Sequence, residues 1–562
     1  MKKAVVNLLY RALKEMDVKL KKEQIESLLE VPPSIDMGDY AFPCFSLAGL
    51  MKQEPDQIAL QIRERIGNEP VTDFDDIQTK GPYVNFFLDR KNLARKVVWE
   101  VITQKRDYGR INLGKNKKVV VEFSSPNIAK PFGIGHIRST IIGNSIANIC
   151  EFMGYKPVRI NYLGDWGTQF GKLMFGYNKF GSEAKLKKDP IQHLFDIYVK
   201  ANKKSYEEKS REWFKKLENK DVKAQIMWRL FRELSLEEFK KIYDTFNIKF
   251  DEYDGESLQT NRIKKVITEL NTKRLLKKSE GALIIDLKQY NLGVALIQKS
   301  DGATLYATRD LAAAIHRYKT HKFKKMIYEV GQEQKLYFKQ LFKILELMGY
   351  KWAKDCIHVE HGLYLDKNRK KFATRKGKTV FVEDILEETQ KLARKEIKKR
   401  FPTLPDTKLE ERSMKVALAA IFYGDLKNNR QNNIVFDLKK FVSFEGDTGP
   451  YILYSYARAS SILRKAEREE KFKIGELHDK ELELVKKLLQ FPDIVLSAYN
   501  HLNPSLIATY AYQLSQNFNE FYHTCPVIGS EEEAYRLALV EAFRQVTKNA
   551  MKLLGIEVLE KM

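Results

Sequence analysis

A doubly wound parallel sheet interrupted by a helical insertion, with a small α+β domain before it and an all-α bundle after it, is the multidomain α/β fold this sequence predicts. Three observations carry the prediction. Near residue 118 the pattern becomes strand, glycine-bearing loop, helix, strand; the same grammar returns after residue 304; beyond about residue 385 nearly all apolar spacing has helical period. At 562 residues the chain exceeds one ordinary core, so three or four domains are expected. The sheet domain is therefore expected to be Rossmann-like.

Residues 1–110 form the first expected domain. It opens with an amphipathic helix, continues with GDYAFPCFSLAGLMK, where Gly38 and Asp39 introduce a helical pattern, and ends with the strand candidate YVNFFL after Gly81 and Pro82. The basic run KNKK at 115–118 closes it. Residues 111–385 are the expected sheet domain. Its first strand, VVVEF, is almost wholly apolar, as a strand covered on both faces requires. The helix IRSTIIGNSIANICEFMG and the strand PVRINYL complete a βαβ unit. Later come the strand TLYAT (304–308) before the helix RDLAAAIHRYK, the strand KMIYEV (325–330) before a helix starting near Gln334, and the strand IHVEHG (357–362). Between the two halves, about 181–275 is a charged helical insertion, with amphipathic runs such as KKSYEEKSREWFKKLE. A helical connector at 386–435 and a bundle at 436–562 follow, the latter with Asn503 as N-cap and Pro504 at a first helical position.

Composition narrows the function classes. Lys plus Arg exceed Asp plus Glu by 98 to 74, a formal charge of +24 that attracts polyanions, nucleic acid above all. The cations are spread along the chain and not gathered on an amphipathic anchor, so no membrane partner is expected. Cys44, Cys150, Cys356 and Cys525 are too far apart to spell a zinc knuckle or a disulfide framework, so no zinc is expected and a reducing compartment fits. The start MKKAVVNLLYRALKEMDVK carries Glu15 and Asp17 at helical spacing, unlike a leader peptide, and the expected location is cytoplasmic.

The chemistry concentrates in three loops. SSPNIAKPFGIGHIRST (124–140) joins the first sheet strand to its helix, where doubly wound sheets hold nucleotides. Gly133 and Gly135 let backbone approach a ligand, the helix start presents free N–H groups to an anion, Lys130 neutralises phosphate and His136 hydrogen-bonds it. NYLGDWGTQFGKL (161–173) lies just beyond the second strand on the same sheet edge. DKNRKKFATRKGK (366–378) carries seven basic residues against one acid. Neither GxGxxG nor GxxxxGK[ST] is present, which argues against a dinucleotide-dependent dehydrogenase and a P-loop enzyme.

These stretches resemble class I aminoacyl-tRNA synthetases, and specifically the arginyl-tRNA synthetase family. VEFSSPNIAKPFGIGHIRSTIIGN matches the HIGH region, spanning Pro126 to His136. RINYLGDWGTQFG, DGATLYATRDLAAA, KFATRKGK, FEGDTGPYILYSYAR and NAMKLLGIEVLEKM follow in family order, with GDYAF and GPYVNFFL in the amino-terminal domain.

The resemblance implies a monomer that joins L-arginine to ATP, with Mg2+, and passes the arginyl group to the 2′-hydroxyl of the terminal adenosine of tRNA(Arg). It assigns ATP to Lys130, Gly133, Gly135, His136, Lys371, Arg375 and Lys376, the last three in the loop matching KMSK, where Thr374 replaces the second lysine. It assigns arginine to Glu122, Ser124, Asn127, Tyr306, Asp310 and Gln334, and no protein metal site. Carboxylates suit the task because a guanidinium is a rigid fork of donors. The amino-terminal domain would contact tRNA. Anticodon recognition falls to the carboxy-terminal bundle, whose candidates are Tyr451, Tyr454, Tyr456, Arg458, Tyr510, Tyr512, Asn517, Phe521 and Tyr522, of which helical spacing puts most in the core and no more than about a third against RNA. The first histidine of HIGH is Gly133 here, which leaves a second reading open at this stage: a catalytically weakened RNA-binding paralogue.

Overall fold

The computed structural model describes the chain except residues 1, 35–36, 68–73, 301–305, 367, 371–380 and 467–472. It packs as two compact units. One collects Met1–Lys105, Ile462–Leu489 and Asn517–Gln545, the other Arg106–Ser461, Gln490–Gln516 and Val546–Met562.

In the first unit, β1 (Tyr40–Pro43), β2 (Phe74–Lys80) and β3 (Tyr83–Leu88) form an antiparallel sheet in the order β1-β3-β2. The helix Lys2–Glu15 buries Val5, Leu9 and Leu13 at helical spacing, which is why its apolar stripe persists in a lysine-rich segment. Gly38 and Asp39 introduce a strand here, and only then the helix Phe45–Met51. The reason is local bonding: Asp39 Oδ2 accepts from the Leu88 amide at 2.9 Å and the Asp39 amide donates to Phe86 at 2.8 Å, which registers the segment on β3.

The second unit is built on five parallel strands: β4 (Lys118–Glu122), β5 (Lys156–Leu163), β6 (Glu252–Gly255), β10 (Lys325–Gly331) and β11 (Cys356–His361), ordered β11-β10-β4-β5-β6. Chain order reverses between β4 and β10, the switch point at whose carboxyl edge such sheets open a crevice. Val119, Val120 and Val121 are fully buried, as the unbroken apolar run requires. The helix Ile134–Phe152 returns from that edge and is buried on nearly all sides.

Two further local expectations are corrected. Residues 306–308 of TLYAT are the first turn of the helix Tyr306–His321 and not a strand, residues 304 and 305 lying outside the described residues. Thr308, β-branched and strand-prone, is buried with its Oγ1 donating to the Ile297 carbonyl at 2.7 Å, so a tertiary bond overrides propensity. The stretch 181–275 is helical except that Glu252–Gly255 supplies the edge strand β6, too short and too acidic to stand out by periodicity. A further antiparallel sheet, β7 (Lys277–Ser279), β8 (Ala282–Asp286) and β9 (Val294–Gln298), went unread between insertion and sheet. A short parallel pair, β12 (Tyr364–Leu365) with β13 (Ile434–Val435), holds the chain on either side of the helices Val382–Arg400 and Asp406–Leu426.

Candidate active site

The loop from β4 to the helix Ile134–Phe152 is held in a conformation that its residues do not favour. Ser124, Ser125 and Ala129 all have left-handed backbone, with φ of 72°, 45° and 57°, which non-glycine residues adopt at a cost of about 1 kcal/mol or more each. The surroundings over-determine it. The Ser124 amide donates to Ser139 Oγ at 3.0 Å, the Ala129 amide donates to Ser235 Oγ at 2.8 Å, and the Ser124 hydroxyl lies 2.8 Å from Tyr243 Oη.

That conformation carries Asn127 to the end of β5, where it bridges Gly164. A Cβ on Gly164 would stand 2.2 Å from Asn127 Oδ1, so close approach of the two loops requires glycine there. Gln169, from GDWGTQ, places its Nε2 3.4 Å from Asn127 Oδ1 and its Oε1 3.5 Å from Lys130 Nζ, so one amide links the two predicted residues. Ser124, by contrast, is buried and spends its hydroxyl on Tyr243 and Thr140.

Gly133 caps the helix. Its amide donates to His136 Nδ1 at 3.1 Å, which leaves Nε2 to carry the ring proton and act as the donor. Burial, reinforced by Lys130, lowers the His136 pKa to about 4, so the ring is a neutral hydrogen-bond donor at physiological pH. Gly135 is exposed, and a Cβ on it would meet nothing within 4 Å, so the first turn of the helix is open to an approaching group. Lys371, Arg375 and Lys376 lie outside the described residues, but Phe381, just after them, pairs with Gly133, and the Val382 amide donates to the Phe132 carbonyl at 3.1 Å. Phe381 and Val382 therefore lie beside the GIGH turn.

The acidic end of the crevice is formed where β4, β6 and two helices converge. Glu122, the last residue of β4, contacts Arg317, whose Nη2 lies 3.3 Å from Asp254 Oδ2 and whose guanidinium covers the Tyr162 ring at 4.8 Å. Asp310 accepts from Tyr337 Oη. Tyr306 is one turn before Asp310 on the same helix face and is 58% exposed. Gln334 ends the short 3-10 turn Gln332–Gln334, three residues before Tyr337, and is exposed. The structure thus brings Glu122, Tyr306, Asp310 and the Gln334 turn to one edge.

Four participants escaped the sequence reading. Arg317 follows Asp310 by seven residues, a same-face spacing that a helical projection from Tyr306 would have exposed. Tyr337 follows Gln334 by three in the same way. Asp254 and Glu256 sit in DEYDGES, inside the stretch read as a charged helical insertion. Glu256 is buried, its Oε2 has no hydrogen-bond partner among the described residues, and Arg309 is 4.0 Å away. Burial, with Asp310 adding repulsion, lifts its pKa to about 8. Burial, only partly offset by Arg317, lifts Glu122 to about 7; burial also raises Asp310, against the hydrogen bond from Tyr337. Arg317 stays a cation, since Glu122 and Asp254 outweigh the burial that would lower it. Four carboxyl groups therefore face two guanidiniums, an arrangement short of positive charge.

A parallel sheet with a GIGH turn at its switch point defines a class I aminoacyl-tRNA synthetase catalytic domain, and the family model described as "tRNA synthetases class I (R), catalytic domain" matches residues 97–438. The "Arginyl tRNA synthetase N terminal domain" model matches residues 3–88 and the "DALR anticodon binding domain" model residues 452–562. The chain belongs to the arginyl-tRNA synthetase family. It is 45% identical to the "Arginine--tRNA ligase" of Clostridium perfringens, with 97% of this chain and 98% of that one covered. The enzyme of the same name from Enterococcus faecalis is 44% identical with both chains fully covered. The solved arginyl-tRNA synthetase of Thermus thermophilus superposes with a TM-score of 0.82 at 25% identity over both whole chains.

Proposed function

We propose that this chain activates L-arginine with ATP and transfers the arginyl group to the terminal adenosine of tRNA(Arg), as an arginine–tRNA ligase. The observation that carries the substrate is the excess of carboxyl groups, buried at Glu122 and Glu256 and half-buried at Asp254 and Asp310, over Arg309 and Arg317. A guanidinium is the side chain whose charge and fork of donors such a site lacks. Lysine offers a point charge that meets only one acceptor well.

In this reading Asp310 and Glu256 take the guanidinium, Tyr306 lies along its plane, and Asn127 and Gln334 hold the amino-acid end. Glu122 acts on the pocket through its pair with Arg317. Attack of the arginine carboxylate on the α-phosphate needs alignment and charge neutralisation and no protein nucleophile. Lys130, the Nε2–H of His136, the open helix start at Gly133 and Gly135, and Lys371, Arg375 and Lys376 supply these at the phosphate end. Among the described residues no group of three or more His, Cys, Asp or Glu is disposed to hold a metal. Mg2+ fits as the companion of ATP, bound by phosphate oxygens and water, a mode this ion favours.

In this reading residues 1–110 and 436–562 serve tRNA, 111–385 catalysis, and 386–435 connect them. Within the second unit Tyr451, Tyr454, Arg458 and Tyr512 keep partial exposure, with Arg458 stacked on Tyr454 at 4.9 Å, whereas Tyr456 and Tyr510 are core. Tyr451, Tyr454, Arg458 and Tyr512 are the surface offered to unpaired bases. In this reading the enzyme is a cytoplasmic monomer. No helix among the described residues is long and apolar enough to cross a membrane. Purified protein with ATP, Mg2+, total tRNA and labelled arginine yields arginyl-tRNA, whereas labelled lysine yields none. No transfer at any tRNA concentration would defeat the assignment and favour a non-catalytic paralogue.

A further inference from the structure

A cleft in the second unit lies at the opposite end of the sheet from the arginine crevice. It measures about 650 Å³ and is walled by the segment before β4 (Arg106, Arg110), the far end of the helix Ile134–Phe152, the residues entering β6 (Lys249, Asp251) and the end of the helix Glu533–Leu553. Those strands begin here, so nothing in the arginine chemistry uses this space.

Its electrostatics are one-sided. Each carboxylate in the wall is already engaged: Asp107 by Arg110 at 3.0 Å, Glu151 by Arg159 at 3.0 Å, Asp251 by the Arg159 amide at 2.7 Å and Glu557 by Lys415 at 2.9 Å. Lys249, Lys548 and Lys552 form no ion pair among the described residues, and all three are exposed. A helix carboxyl end would ordinarily repel an anion. Here the Leu553 and Lys552 carbonyls are spent on Ser145 Oγ at 2.9 Å and Asn148 Nδ2 at 3.3 Å. Asn144, 7% exposed, also lines the cleft and brings a side-chain amide to it. Asn247 adds a second amide and Phe152 an aromatic edge.

We propose that this cleft binds a nucleotide phosphate, with Lys249, Lys548 and Lys552 on the phosphate and the Asn144 amide on base or sugar. The volume suits one nucleotide. The phosphate belongs either to a free nucleotide or to an RNA chain, and the two sources separate experimentally.

Lysine acetylation by a brief pulse of an N-hydroxysuccinimide ester, read by peptide mass spectrometry on the full chain, provides the test. The arms are ADP, total tRNA, and adenosine, all at matched ionic strength. Lys249, Lys548 and Lys552 should be modified at least threefold more slowly with ADP or tRNA and at an unchanged rate with adenosine. Protection by ADP identifies a free nucleotide; protection by tRNA alone identifies RNA. In the double variant Lys548→Gln, Lys552→Gln, with an unchanged thermal midpoint, protection of Lys249 should vanish. Unchanged rates in both phosphate arms overturn the proposal, as does protection of Lys249 that survives in the double variant, since that would be an effect relayed from elsewhere. Arginylation activity is a separate readout and decides the other assignment.

Discussion

Arg317 points its guanidinium at Glu122, the terminal residue of the central strand, from a position that is only 2% exposed. It holds Asp254 with its other arm, so one buried cation ties β4 to β6. Removing it strands two carboxylates in a poorly solvated place, and the loss of one partner of a buried pair costs about 3–5 kcal/mol. Arg317→Met should lower unfolding stability by that order in urea titrations and raise the KM for arginine. Arg317→Lys should recover part of the stability, because charge is kept while the fork is lost. An unchanged midpoint in Arg317→Met would contradict the pairing.

Asp310 and Tyr337 separate charge from orientation. Asp310→Asn removes an acceptor for the substrate guanidinium and should raise the arginine KM at least tenfold, given about 1.5–3 kcal/mol for a charge-assisted bond. Tyr337→Phe removes only the hydroxyl that holds Asp310 and should cost less. Steady-state arginylation at saturating ATP and tRNA measures both, and equal penalties would mean that the carboxylate is not itself the contact.

Arginine binding should release protons near neutral pH. Burial, with repulsion from Asp310, pushes Glu256 up to about 8, and burial, partly offset by Arg317, pushes Glu122 up to about 7. A bound guanidinium favours the ionised forms, pulls these values down and expels protons that were held at pH 7.5. Isothermal titration calorimetry in buffers of different ionisation enthalpy should show up to roughly one proton released per arginine. A buffer-independent enthalpy would count against Glu256 as a neighbour of the ligand.

His136 should stay neutral across the working range. Its pKa falls from 6.5 unfolded to about 4 folded, so the stability gained by keeping it neutral is fully present above 6.5 and is lost as pH falls through 4. Proton NMR of the imidazole should give a midpoint near 4, and His136→Gln should flatten the stability profile between those limits. The same variant should reduce kcat about 10- to 100-fold with little change in arginine KM, because a donor to developing phosphate charge is lost. A midpoint near 6.5 would contradict the buried, Lys130-facing position.

Gly164→Ala tests the contact between the two loops. Its Cβ would fall 2.2 Å from Asn127 Oδ1, so Asn127 must leave its place. About 1–3 kcal/mol of stability should be lost, as overpacking usually costs, together with a larger fractional loss of kcat/KM for arginine. Normal kinetics with lowered stability would place Asn127 in a structural role only.

Much of this molecule is legible in the sequence because local rules write it there. The apolar run of β4, the glycines around the GIGH turn and the periodic helices at the end each follow from a short stretch and its neighbours. So does the pairing of the loops 124–140 and 161–173 on one sheet edge, which the βαβ rule demands. Other features arise only when distant segments meet. Thr308 sits in a helix with its hydroxyl given to the distant Ile297 carbonyl, and β6 emerges from the charged helical insertion by pairing on the edge of β5. The left-handed run at Ser124, Ser125 and Ala129 persists because Ser139 and Ser235 hold it. The acidity of the arginine end is likewise a tertiary property. Glu122, Asp254, Glu256 and Asp310 are ordinary acids in the chain, and only shared burial around Arg317 and Arg309 makes them a site short of one cation.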